Sequence, residues 1–185
     1  MRKLHMFNLV TLDGYYAGPD GNIDWHNYDA EHNDFGIEQL QSVDTLIFGR
    51  VTYQMMASYW PSPAGLADDA IVAGLMNNVP KIVASRTLDS ADWNNTRLIK
   101  QDVAAEIARL KQQPGKDMFI FGSGKLSATL TNAGLIDEYR LIVNPIVLGS
   151  GQPLFQAVKE RLPLKLVNSR KFQNGNVLLY YQPVK

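Results

Sequence analysis

The stretch Met118-Phe119-Ile120-Phe121-Gly122-Ser123-Gly124-Lys125-Leu126 decides the fold. Its four leading apolar residues are too few for a helix of their own and read as a strand buried on both faces. Gly-Ser-Gly then breaks the pattern, and a helix over Lys125–Asn132 follows, ended by Gly134. Strand, small-residue turn and helix together form the repeating unit of a parallel α/β sheet. Such a turn is also where the sheet meets ligands, because it exposes backbone amides at the positive end of a helix. The spacing is neither GxGxxG nor a P-loop, so the turn alone implies an anion and no particular nucleotide.

Outward from this unit the same alternation runs through the chain. Leu4–Val10 reads as a strand, and Thr11–His26 as a loop punctuated by Gly14, Gly18, Pro19 and Gly21. Asp29–Val43 fits a helix with Phe35, Ile37, Leu40 and Val43 near helical spacing. Thr45–Phe48 is another buried strand, ending at Gly49, and Val51–Met56 is a short helix closed by Trp60-Pro61. Asp68–Asn77 and Val103–Gln112 read as helices; Lys81–Ser85, Arg97–Lys100 and Tyr139–Val143 read as strands. In the tail, Leu164–Phe172 and Val177–Pro183 bracket Asn174-Gly175, a two-residue hairpin signal. No linker or repeat divides the chain, so a single domain over 1–185 is expected, its sheet mostly parallel with an antiparallel C-terminal edge.

Composition narrows the function. Eighteen basic residues balance eighteen acidic ones, so no global field draws the chain to nucleic acid or an anionic membrane. No apolar run approaches the ~18 residues of a membrane span, and the first residues lead into a strand without a signal-like core. A cytoplasmic protein is expected. With no cysteine there is no disulfide, thiolate zinc site or cysteine nucleophile. His5, His26 and His32 lack metal-ligand spacing, so no metal is expected either. The charge is uneven: residues 1–49 hold eight acids against two bases, and the remainder is basic.

Three strand ends carry candidate binding residues. At the first, Gly49, Arg50 and Thr52 open a helix with a flexible backbone, a fixed charge and a hydroxyl. At the second, Gly122, Ser123, Gly124, Lys125 and Leu126 form the turn already described. The third, Ser85-Arg86-Thr87, ends a strand with a guanidinium between two hydroxyls, a suitable partner for a lone monoester phosphate. Two anion sites with a third for a single phosphate suggest a phosphorylated dinucleotide.

These segments resemble the dihydrofolate reductase-like superfamily, and more closely its riboflavin-biosynthesis reductase branch. That branch comprises the C-terminal domain of the bifunctional deaminase-reductase and stand-alone bacterial members. Beside the three strand ends, the resemblance rests on Thr11-Leu12-Asp13-Gly14-Tyr15-Tyr16-Ala17, on Ala133 to Leu141, and on Asn144 to Phe155. It implies an α/β fold with a central mostly parallel sheet, an antiparallel C-terminal hairpin and helices on both faces. It also implies NADPH as cofactor, a small-molecule substrate and a homodimer, for which the apolar run Leu141–Leu148 is a compatible buried strand. Gly49, Arg50 and Thr52 would sit at the cofactor phosphates, Ser85 and Arg86 at the 2′-phosphate, Gly122 to Leu126 at the pyrophosphate and Ala17 beside the nicotinamide.

The resemblance implies an NADPH-dependent oxidoreductase similar to 5-amino-6-(5-phosphoribosylamino)uracil reductase. Dihydrofolate reduction is the alternative, and an NADPH-binding module without turnover is a third reading. Dihydrofolate reductases carry an acid on the first helix; Asp29, Glu31 and Asp34 fall near that place, whereas Asp13 matches the riboflavin-type branch. Asp13 is read as orienting or protonating the acceptor, or as a turn former, since Asp before Gly commonly bonds local amides. Trp25, Asp34 and Trp60 are candidate substrate contacts, the tryptophans by stacking or else as core. Tyr53 reads as core, and His26 and His32 as solvated surface. Substrate specificity is assigned to residues 13–34 and 53–66.

Overall fold

The structure, a computed structural model, describes residues 1–184. Eight strands form one sheet: β1 (Leu4–Thr11), β3 (Val43–Gly49), β4 (Lys81–Ala84), β5 (Thr96–Ile99), β6 (Asp117–Phe121), β7 (Glu138–Asn144), β9 (Leu164–Lys171) and β10 (Val177–Pro183). Their order is β5-β4-β3-β6-β1-β7-β10-β9, parallel from β5 to β7, with β10 antiparallel to both β7 and β9. The chain winds outward through β3, β4 and β5, then returns to insert β6 between β3 and β1. The winding direction reverses there, which is where open α/β sheets leave a crevice at their C-terminal edge.

Strand alternation sorts the core into two layers. Phe7 and Leu9 of β1, Leu46 and Phe48 of β3, Val83 of β4 and Phe119 of β6 face one side. There they meet Phe35 and Leu40 of α1 (Ala30–Ser42), Tyr53 of α2 (Arg50–Tyr59), and Val72 and Met76 of α4 (Ala70–Asn78). Leu4, Met6, Val10, Ile47, Ile82, Met118 and Ile120 face the other side. They pack on Ile107 and Leu110 of α5 (Val103–Lys111) and on Leu126 and Leu130 of α6 (Gly124–Asn132). Helices therefore cover both faces. No helix of the described residues is long and apolar enough to cross a membrane.

The structure departs from the sequence reading in several elements. Tyr15–Ala17 (β2) pairs with Gln152–Pro153 (β8) as a small second sheet inside what read as loop. Residues 53–66, assigned to a specificity segment, are largely helical: α2 continues to Tyr59, and α3 (Pro63–Asp68) starts behind a Ser62 cap that accepts from the Gly65 N–H. The tail hairpin turns through three residues instead of two. Phe172 N–H donates to the Asn176 carbonyl at 2.9 Å, closing a loop in which Gly175 takes φ +91°. β7 runs inside the sheet between β1 and β10, which accounts for the apolar residues Leu141–Val143 within a single chain. His32 is buried because it stacks on Phe172 at 5.7 Å, contrary to the surface role expected of it.

Candidate functional site

A cleft of about 820 Å³ runs along the C-terminal edge of β3, β4, β5 and β6 and continues along β1. Every residue expected at the cofactor lines it: Ala17, Gly49, Arg50, Thr52, Ser85, Arg86, Gly122, Ser123, Gly124, Lys125 and Leu126. A fourth strand end joins them, Lys100-Gln101-Asp102 between β5 and α5. It was not singled out in the sequence because it contains no glycine; Asp102 takes the left-handed conformation itself, at φ +48°.

Helix capping separates α2 and α6 from the rest. Asp29, Ser62, Asp69 and Asp102 cap α1, α3, α4 and α5 through their side chains. The caps of α2 (Gly49) and α6 (Ser123) make no such bond, and neither helix has an acid in its first turn. Arg50 opens α2 and Lys125 is second in α6, so each uncapped positive helix end also carries a cation. The macrodipole disfavours that placement unless an anion joins it. Arg2, Arg97, Arg109, Arg140 and Arg170 are in ion pairs with carboxylates. Among the described residues the cleft cations Arg50, Arg86, Lys100 and Lys125 are in none.

Ser123 joins the two turns. Its hydroxyl accepts the Gly49 N–H at 2.7 Å and donates to the Thr52 hydroxyl at 3.0 Å. The hydroxyls of Ser123 and Thr52 are thus engaged with each other. Gly122 and Ser123 are both left-handed, at φ +64° and +65°. Gly124 is glycine for a different reason: a Cβ there would lie 2.6 Å from the Tyr16 ring, which closes over the turn and donates its hydroxyl to Gln152 at 2.8 Å.

β1 contributes backbone. β6 ends at Phe121, opposite Phe7, and the Gly122 N–H donates to the Phe7 carbonyl. β1 runs on to Thr11, paired with β7 on its other side. Alternation turns the N–H and C=O of Leu9 toward the side that β6 has left, and Leu9 lines the cleft there.

Asp13 does not line the cleft. It accepts from the Thr11 hydroxyl at 2.6 Å and from the N–H groups of Gly149 at 2.8 Å and Leu148 at 3.3 Å. The Thr11 bond and these amides hold its carboxyl below the usual range. Trp25 and Trp60 pack against the α1-side core, and Trp60 Nε1 donates to the Met56 sulfur at 3.2 Å. Tyr53 is also core, its hydroxyl accepting the Trp93 N–H at 3.0 Å. Asp34 is exposed on α1, outside the cleft. Asp29 caps α1, and Glu31 is tied to Arg170 and the Gln173 N–H, so no acid of the first helix reaches the cleft lining. Sequence reasoning missed His26 and Tyr28, which do line it.

Fold and cleft together define a protein of the dihydrofolate reductase-like class, with a crevice at the strand ends lined by Arg50, Arg86, Lys100 and Lys125. Residues 2–178 match the model of the RibD C-terminal domain, and the chain belongs to that family. It is 36% identical to the uncharacterised protein YyaP of Bacillus subtilis (strain 168), over 97% of this chain and 94% of the relative. In structure it is similar to a protein of Shewanella sp. PV-4 whose name ties it to riboflavin biosynthesis, with a TM-score of 0.76, 24% identity and 99% coverage of both chains. It is also similar to dihydrofolate reductase from Enterococcus faecalis complexed with NADP(H), with a TM-score of 0.63, 17% identity, and 99% and 97% coverage.

Proposed function

We propose that this chain is an NADPH-dependent oxidoreductase that reduces a small heterocyclic or imine-bearing substrate. The observation that carries the reading is the pair of uncapped, cation-bearing helix N-termini facing one cleft, with Arg86 and Lys100 at the neighbouring strand ends. A pyrophosphate satisfies the first pair, and a 2′-phosphate suits the guanidinium of Arg86. The donor and acceptor of Leu9 match a carboxamide, which would bring the nicotinamide against β1. When bound, NADPH supplies the hydride. Ser123 holds the turns of β3 and β6 at a fixed spacing, and Tyr16 shields the α6 end from water.

Asp13 acts in this scheme as a positioning residue. It anchors the start of the loop that carries Gln152 to the cleft, and it leaves proton delivery to groups that line the site. Dihydrofolate is the less suitable acceptor, because none of Asp29, Glu31 and Asp34 faces the cleft to hold a pterin.

NADPH consumption with a panel containing 5-amino-6-(5-phosphoribosylamino)uracil, dihydrofolate and simple cyclic imines tests the proposal. Turnover with a heterocycle or imine other than dihydrofolate is the expected result. Turnover with dihydrofolate alone would replace it by folate reduction, and tight NADPH binding without turnover on the whole panel would replace it by a binding module.

A further inference from the structure

The cleft has two electrostatic halves. All four of its cations, Arg50, Arg86, Lys100 and Lys125, stand at the ends of β3 to β6. The side walled by β1 and the 18–28 loop carries no cation; its one carboxylate, Asp20, turns back on its own loop to accept from the Asn22 backbone and side chain. The groups there include Phe7, Leu9, Ile23, His26 and Tyr28.

His26 sets the chemistry of this side. Its Nδ1 is bonded to the Tyr28 hydroxyl at 2.8 Å, while its Nε2 is enclosed and has no partner among the described residues. The Trp25 ring meets it edge-on at 4.4 Å. Burial, helped by nearby His32, pushes its pKa down to about 4, so the imidazole is neutral at physiological pH. Its bond to Tyr28 fixes that hydroxyl, and Tyr28, exposed along the cleft, is the hydrogen-bonding group a ligand meets on this side. A phosphate placed here would lose its water and gain no cation, the costly case of an unpaired buried charge.

We propose that His26, Tyr28, Ile23 and Leu9 form the acceptor subsite, and that it takes an uncharged, planar, carbonyl-bearing heterocycle instead of a phosphorylated one. This deepens the proposed function by naming the substrate class, and it rests on the basic half being taken by the coenzyme. A phosphoribosyl substrate would need a second set of cations, and the cleft holds one set.

The test uses two pairs of probes that share a ring and differ by one phosphate: uridine with uridine 5′-monophosphate, and riboflavin with riboflavin 5′-phosphate. Each is titrated into histidine-¹⁵N-labelled full-length protein, with and without saturating NADP⁺, following the imidazole nitrogens. The His26 signals are assigned with His26→Ala or, if that variant fails to fold, with His26→Gln, which keeps a donor and an acceptor. The uncharged member of at least one pair should shift the His26 nitrogen in the presence of NADP⁺. Its phosphorylated partner should bind roughly tenfold more weakly or worse. Tighter binding of the phosphorylated member in the NADP⁺-loaded protein, or no response of His26 to any of the four, overturns the proposal. NADP⁺ affinity is read in the same samples. A His26 response without NADP⁺ binding would keep the subsite and remove only the coenzyme reading.

Discussion

Lys81 begins the strand that delivers Ser85 and Arg86 to the cleft, and the residue is buried, only 1% exposed. It donates to the carbonyls of Met76, Asn77 and Val79 at 2.8, 3.2 and 2.7 Å, capping the end of α4, and lies 4.5 Å from the centre of the Trp93 ring. No carboxylate pairs with it among the described residues. Burial pushes its pKa down to about 8 from the ordinary 10.5. Between those values the unfolded chain holds the proton that the folded protein has released, so stability rises with pH across that window. Below pH ~8 both states are protonated and the folded state bears the full desolvation cost; above pH ~10.5 neither does. The gap corresponds to roughly 3 kcal/mol at most, because the three carbonyls favour the ammonium and oppose part of it. Lys81→Met removes the titration while keeping the volume. Urea unfolding of both proteins from pH ~7 to ~10.5 should show the wild type gaining on the variant as pH rises, with other groups cancelling in the difference. A flat difference, or a wild type that loses ground, refutes the reasoning.

Three further outcomes follow from the site. Arg86→Ala should weaken NADPH binding by about 10–100-fold and leave NADH unchanged, since it removes one charge-assisted contact worth ~1.5–3 kcal/mol; calorimetric titrations of both coenzymes check it. Gly122→Ala puts a Cβ on a residue at φ +64° and within 3.1 Å of the Thr52 methyl. The left-handed conformation costs about 1–2 kcal/mol, so thermal unfolding should shift down by roughly 2–8 °C, with NADPH affinity falling alongside. Asp13→Asn removes a carboxylate whose pKa is lowered by Thr11, Gly149 and Leu148. Its stabilising effect is present above pH ~4 and lost as pH falls through the folded value. The melting-temperature gap between wild type and variant should be widest at neutral pH and close in acid.

Strong local signals carried the sheet. The buried runs at Leu46–Phe48 and Met118–Phe121, each followed by a glycine, were legible because a parallel strand between two helical layers has no polar face. β2 and β8 were not, since three residues paired with two residues some 135 positions away leave no periodicity in either segment. The Asn174-Gly175 dipeptide announced a hairpin, but the Phe172–Asn176 pair set its length. At the site, the glycine-rich and arginine-bearing turns declared themselves, and Lys100–Asp102 did not, because an aspartate occupies the left-handed position. His26 looked like a solvated loop residue. Its burial depends on neighbours folded around it, Trp25 against the core and Tyr28 across its ring. Asp13 illustrates the same limit: the amides it binds at 148 and 149 are distant in the chain.

The account stands on the affinity of one cleft for a coenzyme with a pyrophosphate and an additional phosphate. Calorimetric titration of the purified protein with NADPH, NADP⁺ and NADH, repeated at low and high salt, measures it directly. The account predicts one site per chain, preference for the phosphorylated coenzymes, and affinity that falls as salt screens the four cleft cations. Absence of binding by both NADPH and NADP⁺, or equal affinity for NADH, would contradict it.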